Sequence, residues 1–407
     1  MKSFINKRQD DLLFWLFAYW LLVDMLNGYL LKSGFTLSIS QVYKSLVAII
    51  VIIRCIDNKP IQVLSLCFII YLSVYLTHIY IIGEEFGSSL TLISKLLTSL
   101  LFFTYFIQIN NSDRDYFLQK AKIVITLNFA IFAVNLGLGF IGYGFTSYGG
   151  EEGFGSRGFF YSMNELSGVL AVLFPWILYY CKTKFSTFWF YLFSASFFLL
   201  SFILSSKSGI VATIMFFILI NYFYGNKRDK ALMVILFVAL IVICFTYFQL
   251  ILATDLPVME RLNYFVNKNG LIDAITSNRL HFWEYHSREL YRTDSIVWIF
   301  GLGGQRTVEM DPFDALLNCG LIGLAFLIFL YWELLSSPLT KGYRKRPYSK
   351  VVFSSNLLLV FISIGGGHIL FSSMAGMLIA LSNAVLFGKS SILNSRKLLH
   401  FALLKKT

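Results

Sequence analysis

Residues 187–224, TFWFYLFSASFFLLSFILSSKSGIVATIMFFILINYFY, hold one charge, Lys207, and no proline. Two apolar runs, 186–204 and 209–224, flank a polar turn at Ser205-Ser206-Lys207-Ser208. Runs of this length and composition match the hydrocarbon core of a bilayer. In lipid each must satisfy its own backbone polar groups, so both are read as helices. Runs of the same kind lie at 12–31, 37–54, 61–82, 89–109, 122–142, 164–181, 231–252, 315–335, 351–366 and 371–388. A tight Gly365-Gly366-Gly367 corner joins the last two. The fold expected is an all-α polytopic membrane protein with about twelve transmembrane helices.

Composition supports this reading. The 407 residues are 57% apolar and only 14% charged, against about 25% charged in soluble proteins. Disorder is excluded, because it needs low hydrophobicity and high charge. Five cysteines, Cys55, Cys67, Cys181, Cys244 and Cys319, sit in or beside apolar runs with no C-x-x-C. They read as small apolar fillers and not as a disulfide framework. The opening basic residues Lys2, Lys7 and Arg8 lead into a run long enough to remain as a span, so no cleavable signal peptide is expected.

The loops give an orientation. Basic clusters fall in every second connection: Lys2/Lys7/Arg8, Arg54/Lys59, Arg114/Lys120/Lys122, Lys182/Lys184, Lys227/Arg228/Lys230, Lys341–Lys350 and the C-terminal segment. By the positive-inside rule these face the cytoplasm, with both termini. The net charge of +12 then marks cytoplasmic loops and not a nucleic-acid surface. Residues 1–388 form one transmembrane domain. Residues 389–407 read as a basic amphipathic helix on the inner leaflet or as a frayed tail. Lys44 and Lys95 lie within spans, near their outer ends, and are expected to snorkel outward, the alternative being a cavity shared with Asp24 near the same depth.

Two outer loops are long, about 143–163 and 253–314. The first contains Arg157, followed by Asn164 and Glu165 at the mouth of a span. A guanidinium there can hold a phosphate or carboxylate through two parallel bonds. Alternatively it pairs with Glu151 or Glu152, or reaches lipid headgroups. The second contains SNRLHFWEYHSRELYR. If helical, His281, Tyr285, Arg288 and Arg292 share one face, and Arg279, Trp283 and His286 form a second stripe. Cation with aromatic suits a diphosphate-linked sugar, and suits equally an interfacial helix anchored at headgroups. Gly303 and Gly304 permit a turn, after which Glu309, Asp311 and Asp314 gather at the start of the next span. A carboxylate there can act as general base for a hydroxyl, or can simply favour the helix N-terminus. No P-loop, H-E-x-x-H, G-x-S-x-G, outer-loop D-x-D or His/Cys cluster with metal spacing occurs.

These residues resemble the O-antigen polymerase and ligase superfamily of bacterial envelopes, including Wzy-type capsular polymerases. The match covers the whole chain in loop placement and rests on 156–168, 205–211 and 278–323. An arginine, ten residues and a glycine recur in both outer loops, as Arg157…Gly168 and Arg292…Gly303. Ser277, Arg279 and Trp283 follow the pattern, as do Gly301-Leu302-Gly303, Glu309-Met310-Asp311 and Gly320-Leu321-Ile322-Gly323. The resemblance implies a GT-C-like helical fold and an inverting, metal-independent glycosyltransferase with no cofactor. Its substrate would be undecaprenyl diphosphate-linked oligosaccharide. Its partners would be membrane lipid and, in the same pathway, a chain-length regulator and a flippase. Arg157, Arg279, Arg288, Arg292 and Lys207 would hold the diphosphate, with Arg157 and Arg279 also stabilising the leaving charge. Trp283, Tyr285, His281 and His286 would contact glycan, and Glu309 or Asp311 would be the base. Ligases of the superfamily carry a histidine where Glu309 stands, and often an arginine where Lys207 stands. The departure favours a polymerase over a ligase; a lipid-linked oligosaccharide flippase is the other alternative.

Overall fold

The computed structural model describes residues 2–84, 86–148, 154–246, 279–303 and 306–388. Ser277, Gly304 and the 389–407 tail lie outside these residues. The chain enters through α1 (Lys2–Ala18) and α2 (Trp20–Lys32), then α3 (Ile39–Cys55), α4 (Lys59–Ile82), α5 (Phe86–Ser112) and α6 (Arg114–Phe140). Strands β1 (Phe145–Tyr148) and β2 (Phe154–Gly158) follow. After them come α7 (Met163–Lys184), α8 (Thr187–Leu204), α9 (Lys207–Tyr224) and α10 (Lys227–Thr246). The last part holds α11 (Arg279–Leu290), α12 (Ser295–Phe300), α13 (Asp311–Ser336), α14 (Ser349–Gly366) and α15 (Ser373–Ala384).

Each of the twelve apolar runs contains a helix. Among the described residues eight helices are long and apolar enough to cross a membrane, and the bent pair α1–α2 makes up to nine. α3 and α15 are shorter, at 17 and 12 residues. The protein is thus an α-helical, multi-pass chain. Leu46, Ile49, Ile53, Leu66, Ile69 and Ile70 point outward, as lipid-facing side chains do. The first long loop departs from the all-helical expectation: β1 and β2 pair antiparallel. A polar, glycine-rich segment has no helical periodicity, and the hairpin gives its backbone groups partners.

Buried polar side chains explain how the bundle is bent and joined. α1 and α2 meet at 46°, where the expected run at 12–31 would have been one straight helix. Asn128 of α6 enters the break: its amide donates to the Phe17 carbonyl (2.9 Å) and its oxygen accepts from the Leu21 N–H (3.0 Å). Those two groups would otherwise bond each other at i, i+4, so the inserted side chain causes the kink. α7 is buried on nearly all sides and is the central helix. Pro175 within it cannot donate to the Ala171 carbonyl, and the Ser355 hydroxyl of α14 donates there instead (2.8 Å).

α13 is two helices broken at Gly320, whose φ of 65° and ψ of −160° lie outside the helical region. A side chain at Gly320 would overlap the Ile299 carbonyl at the end of α12. The carbonyls freed by the break find partners. The Leu302 N–H bonds the Leu317 carbonyl (2.7 Å), and the Tyr75 hydroxyl donates to that of Asn318 (2.7 Å). The resemblance-bearing glycine motifs at 301–303 and 320–323 therefore meet in space.

Polar contacts gather at the two ends of the bundle. One end holds Arg54–Asp10 (3.0 Å), Lys120–Asp11 (2.6 Å) and Lys182–Asp229 (3.3 Å), all from the basic connections. The opposite end holds the hairpin, α11, α12 and the 367–372 turn.

A candidate functional site at one end of the bundle

Arg157 lies on β2, and Asn135 of α6 fixes its backbone. The Asn135 amide donates to the Arg157 carbonyl (2.9 Å), and its oxygen accepts from the Phe159 N–H (2.8 Å). The Arg157 guanidinium donates to the Tyr161 carbonyl and sits 5.3 Å from the Phe145 ring centre and 5.8 Å from that of Tyr161. Its Nε is buried without a partner. Burial pushes its pKa down, because desolvation disfavours the charged form. Glu151 and Glu152, the alternative partners, lie outside the described residues.

β2 packs at Gly155 against Ser205, in the turn before α9. The next residues form a hydroxyl cluster: Ser206 and Ser208 lie 2.9 Å apart, and Ser167 of α7 lies 3.2 and 3.0 Å from them. Lys207 opens α9 in this same turn. Gly366, at the end of α14, faces Ser208. Its carbonyl accepts from Arg279 of α11 (3.4 Å), as does that of Gly365. Arg279 also pairs with Glu309 (3.3 Å), and its Nε too is buried and unpartnered. The strand that carries Arg157, the helix start at Lys207 and the Arg279 guanidinium, far apart in sequence, thus meet around one patch of serines, while the Arg157 guanidinium itself lies between Phe145 and Tyr161.

Backbone strain marks the same region. Among the described residues three non-glycines have positive φ: Ser205 (56°), Glu309 (61°) and His368 (56°). All three lie here, and such strain persists only where surrounding structure imposes it. Gly367 (φ 60°) presses its backbone against Glu309 and Met310, leaving no space for a Cβ.

The carboxylates differ sharply. Glu309 is half-exposed beside Arg279. Asp311 is fully buried and accepts from the Ser363 hydroxyl and the Leu370 and Ile369 N–H groups (3.0 and 3.2 Å). Asp314 is also buried: one oxygen takes the Val308 N–H (2.6 Å), and the other has no hydrogen-bond partner. His368 Nδ1 lies 3.8 Å from that free oxygen.

Of the two stripes expected on α11, the second faces the protein. Trp283 stacks on Phe313, ring centres 4.4 Å apart, and Leu290 packs with Val297, Leu302 and Leu317. His286 is partly buried; desolvation, then the nearby Arg306, hold its pKa below the ordinary value. His281, Tyr285 and Arg288 are exposed, with Arg288 paired to Glu284 (2.7 Å). Arg292 lies past the end of α11, so the expected i+11 position breaks down there. Gly303 (φ 68°) makes the expected turn, and Gly168 gives close contact with Ala375 and Ile369.

Two expectations change. Lys44 does not snorkel outward: it is buried and bonded to Asp24 (2.6 Å) and Ser373 (3.3 Å). Two spans bring opposite charges to one depth, and pairing there outweighs reaching for water. Lys95 likewise approaches Glu165 (4.0 Å), which accepts from Ser372 and Met374. The sequence also failed to single out Arg306 and His368. Arg306 clamps Glu84 (2.7 Å) and Glu289 (2.5 Å), tying α11 to the end of α4. The lone histidine directly after three glycines was the available signal for His368.

No protein-family model matches the sequence, and no curated protein matches it.

Proposed function

We propose that the protein is a polysaccharide polymerase that joins lipid-linked oligosaccharide repeat units at the outer face of a bacterial cytoplasmic membrane. In this reading about twelve membrane passes form a GT-C-like bundle. Its basic end, with both termini, faces the cytoplasm. One observation carries the reading: the segments bearing Arg157, Lys207 and Arg279 come together at one end of the bundle around a serine patch, and the Nε atoms of both arginines are buried without partners. Fixed cations at a membrane mouth suit a diphosphate whose lipid tail stays in the bilayer.

In this reaction an acceptor hydroxyl attacks the anomeric carbon of the donor glycan. The new C–O bond forms as the bond to undecaprenyl diphosphate breaks, with inversion. Arg157 and Arg279 take up the charge that develops on the leaving diphosphate. The base is Glu309, because it is accessible and stands beside Arg279, whereas the oxygens of Asp311 are enclosed and already accept three donors. Trp283 and Phe313 offer an aromatic wall beside the site.

The test is the size of surface and lipid-linked glycan in a strain lacking the gene. Loss of polymer with single repeat units still exported on lipid is the expected result. Long chains accumulating on undecaprenyl diphosphate would make it a ligase. Repeat units trapped inside would make it a flippase.

A further inference from the structure

Behind Glu309, three side chains from two distant parts of the chain converge. One ligand atom from each of Asp311, Asp314 and His368 can be chosen so that all three lie within 4.8 Å of one another. Both carboxylates are fully buried, and buried charges are stable only when paired or bound to a metal. The basic side chain set against them is His368, at 3.8 Å from Asp314, too far for a hydrogen bond. Arg279, the neighbouring guanidinium, is committed to Glu309 and to the carbonyls of Gly365 and Gly366.

A second observation points to a ligand. The Asp314 oxygen that faces His368 is buried and makes no hydrogen bond. The rest of the cluster is held in place around it. Ser363 and two backbone N–H groups orient Asp311, and the Val308 N–H fixes the other Asp314 oxygen. Outer donors that aim carboxylates in this way are a feature of metal sites. His368 is kept in its positive-φ conformation, partly open to the surface, which leaves a path of entry.

We propose that Asp311, Asp314 and His368 bind one divalent first-row metal cation. Two carboxylates with one imidazole suit Mn²⁺ or Zn²⁺ better than Ca²⁺, which prefers oxygen alone. Three ligand atoms each about 2.1 Å from one ion lie about 3.4–3.6 Å from one another, so the arms close by about an ångström to grip an ion. The cation neutralises the buried pair and staples the start of α13 to the 367–370 turn. It thereby fixes Glu309, whose backbone lies against Gly367. Its role is positional, and it stands apart from the proposed transfer reaction.

The test uses the full chain in detergent or nanodiscs, stripped with chelator and titrated with Mn²⁺ (followed by electron paramagnetic resonance) and with Zn²⁺. One saturable site per chain is expected. Asp314→Asn and His368→Gln should each weaken it by at least about 100-fold, the upper range seen even for outer-shell changes. The exposed His281→Gln should bind as wild type does. His368→Gln alters a partly exposed side chain and keeps the test decisive if Asp314→Asn misfolds. A folded wild type that takes up neither metal overturns the proposal, as do variants that bind like wild type. A protonated-carboxyl infrared band that metal leaves unchanged and Asp314→Asn removes also overturns it, by showing that the two acids share a proton instead. None of these readouts depends on polymerase activity.

Discussion

The two ends of the bundle contain similar residues and use them differently. At the basic end, Arg54 meets Asp10 through two hydrogen bonds (3.0 and 3.1 Å), and the Tyr105 hydroxyl donates to the same carboxylate (3.1 Å). At the other end, Arg157 and Arg279 each keep a buried, unpartnered Nε, and an Asp314 oxygen is left over. The positive-φ non-glycines also gather there. Satisfied ion pairs hold helices together at the basic end, although Asn110 and Asn111 there also keep an unpartnered oxygen; what sets the other end apart is unpartnered charged groups beside strained backbone, from which the proposed site is read.

The largest effect should separate the ends by activity. Arg157→Ala or Arg279→Ala should lower polymer formation by about 100- to 1,000-fold, the usual cost of removing a group that stabilises developing charge. Insertion and thermal stability should stay close to wild type. Arg157→Lys should rescue poorly if bidentate contact matters. Arg54→Ala should do the reverse, lowering the melting temperature while polymer per folded molecule is unchanged. Normal polymer length in both arginine variants would erase the contrast.

Glycine substitutions sharpen it at the level of the backbone. Gly320→Ala places a Cβ against the Ile299 carbonyl at positive φ, and should destabilise by at least about 2 kcal/mol. Gly342→Ala, in the basic loop at the other end, meets nothing within 4 Å, and should be neutral or stabilising by up to about 1 kcal/mol. Thermal melts of the purified proteins compare the two.

The smallest effect is a pH dependence. Hydrogen bonding from Arg306 holds the Glu289 carboxyl below its ordinary value of 4.5. A depressed carboxyl contributes stability above its unfolded value and loses it as pH falls through the folded one. Corrected for its intrinsic pH dependence, hydrogen exchange in α11 should therefore stay constant from neutral pH down to about 4.5 and rise only below it. Glu289→Gln should remove that acid-side rise, and Arg288→Ala, whose pair is fully solvated, should leave it in place. A rise unchanged in Glu289→Gln would assign the effect elsewhere.

Much of the architecture could be read from composition and periodicity. Each apolar run is a helix, because backbone in lipid has no other partner. Basic clusters fall in every second connection, and the ion pairs from those connections lie at one end of the bundle. Arg157 and Arg279 could be singled out as arginines in the two long outer loops, and Lys207 and Glu309 through the family resemblance. The hairpin was less legible, since it depends on Asn135 reaching across from α6. The kink at Tyr19 was invisible, because its cause, Asn128, lies far along the chain.

The sequence by itself determined that this is a multi-pass helical protein, which connections share an end, and which residues carry unusual charge there. These follow from local hydrophobicity, which acts over one segment at a time. Only the tertiary structure decided that Lys44 pairs with Asp24, that Asp311 is enclosed while Glu309 is open, and that His368 stands beside Asp314. Those outcomes depend on which helices pack together, and side-chain pairing across a bundle leaves no periodic trace in the chain.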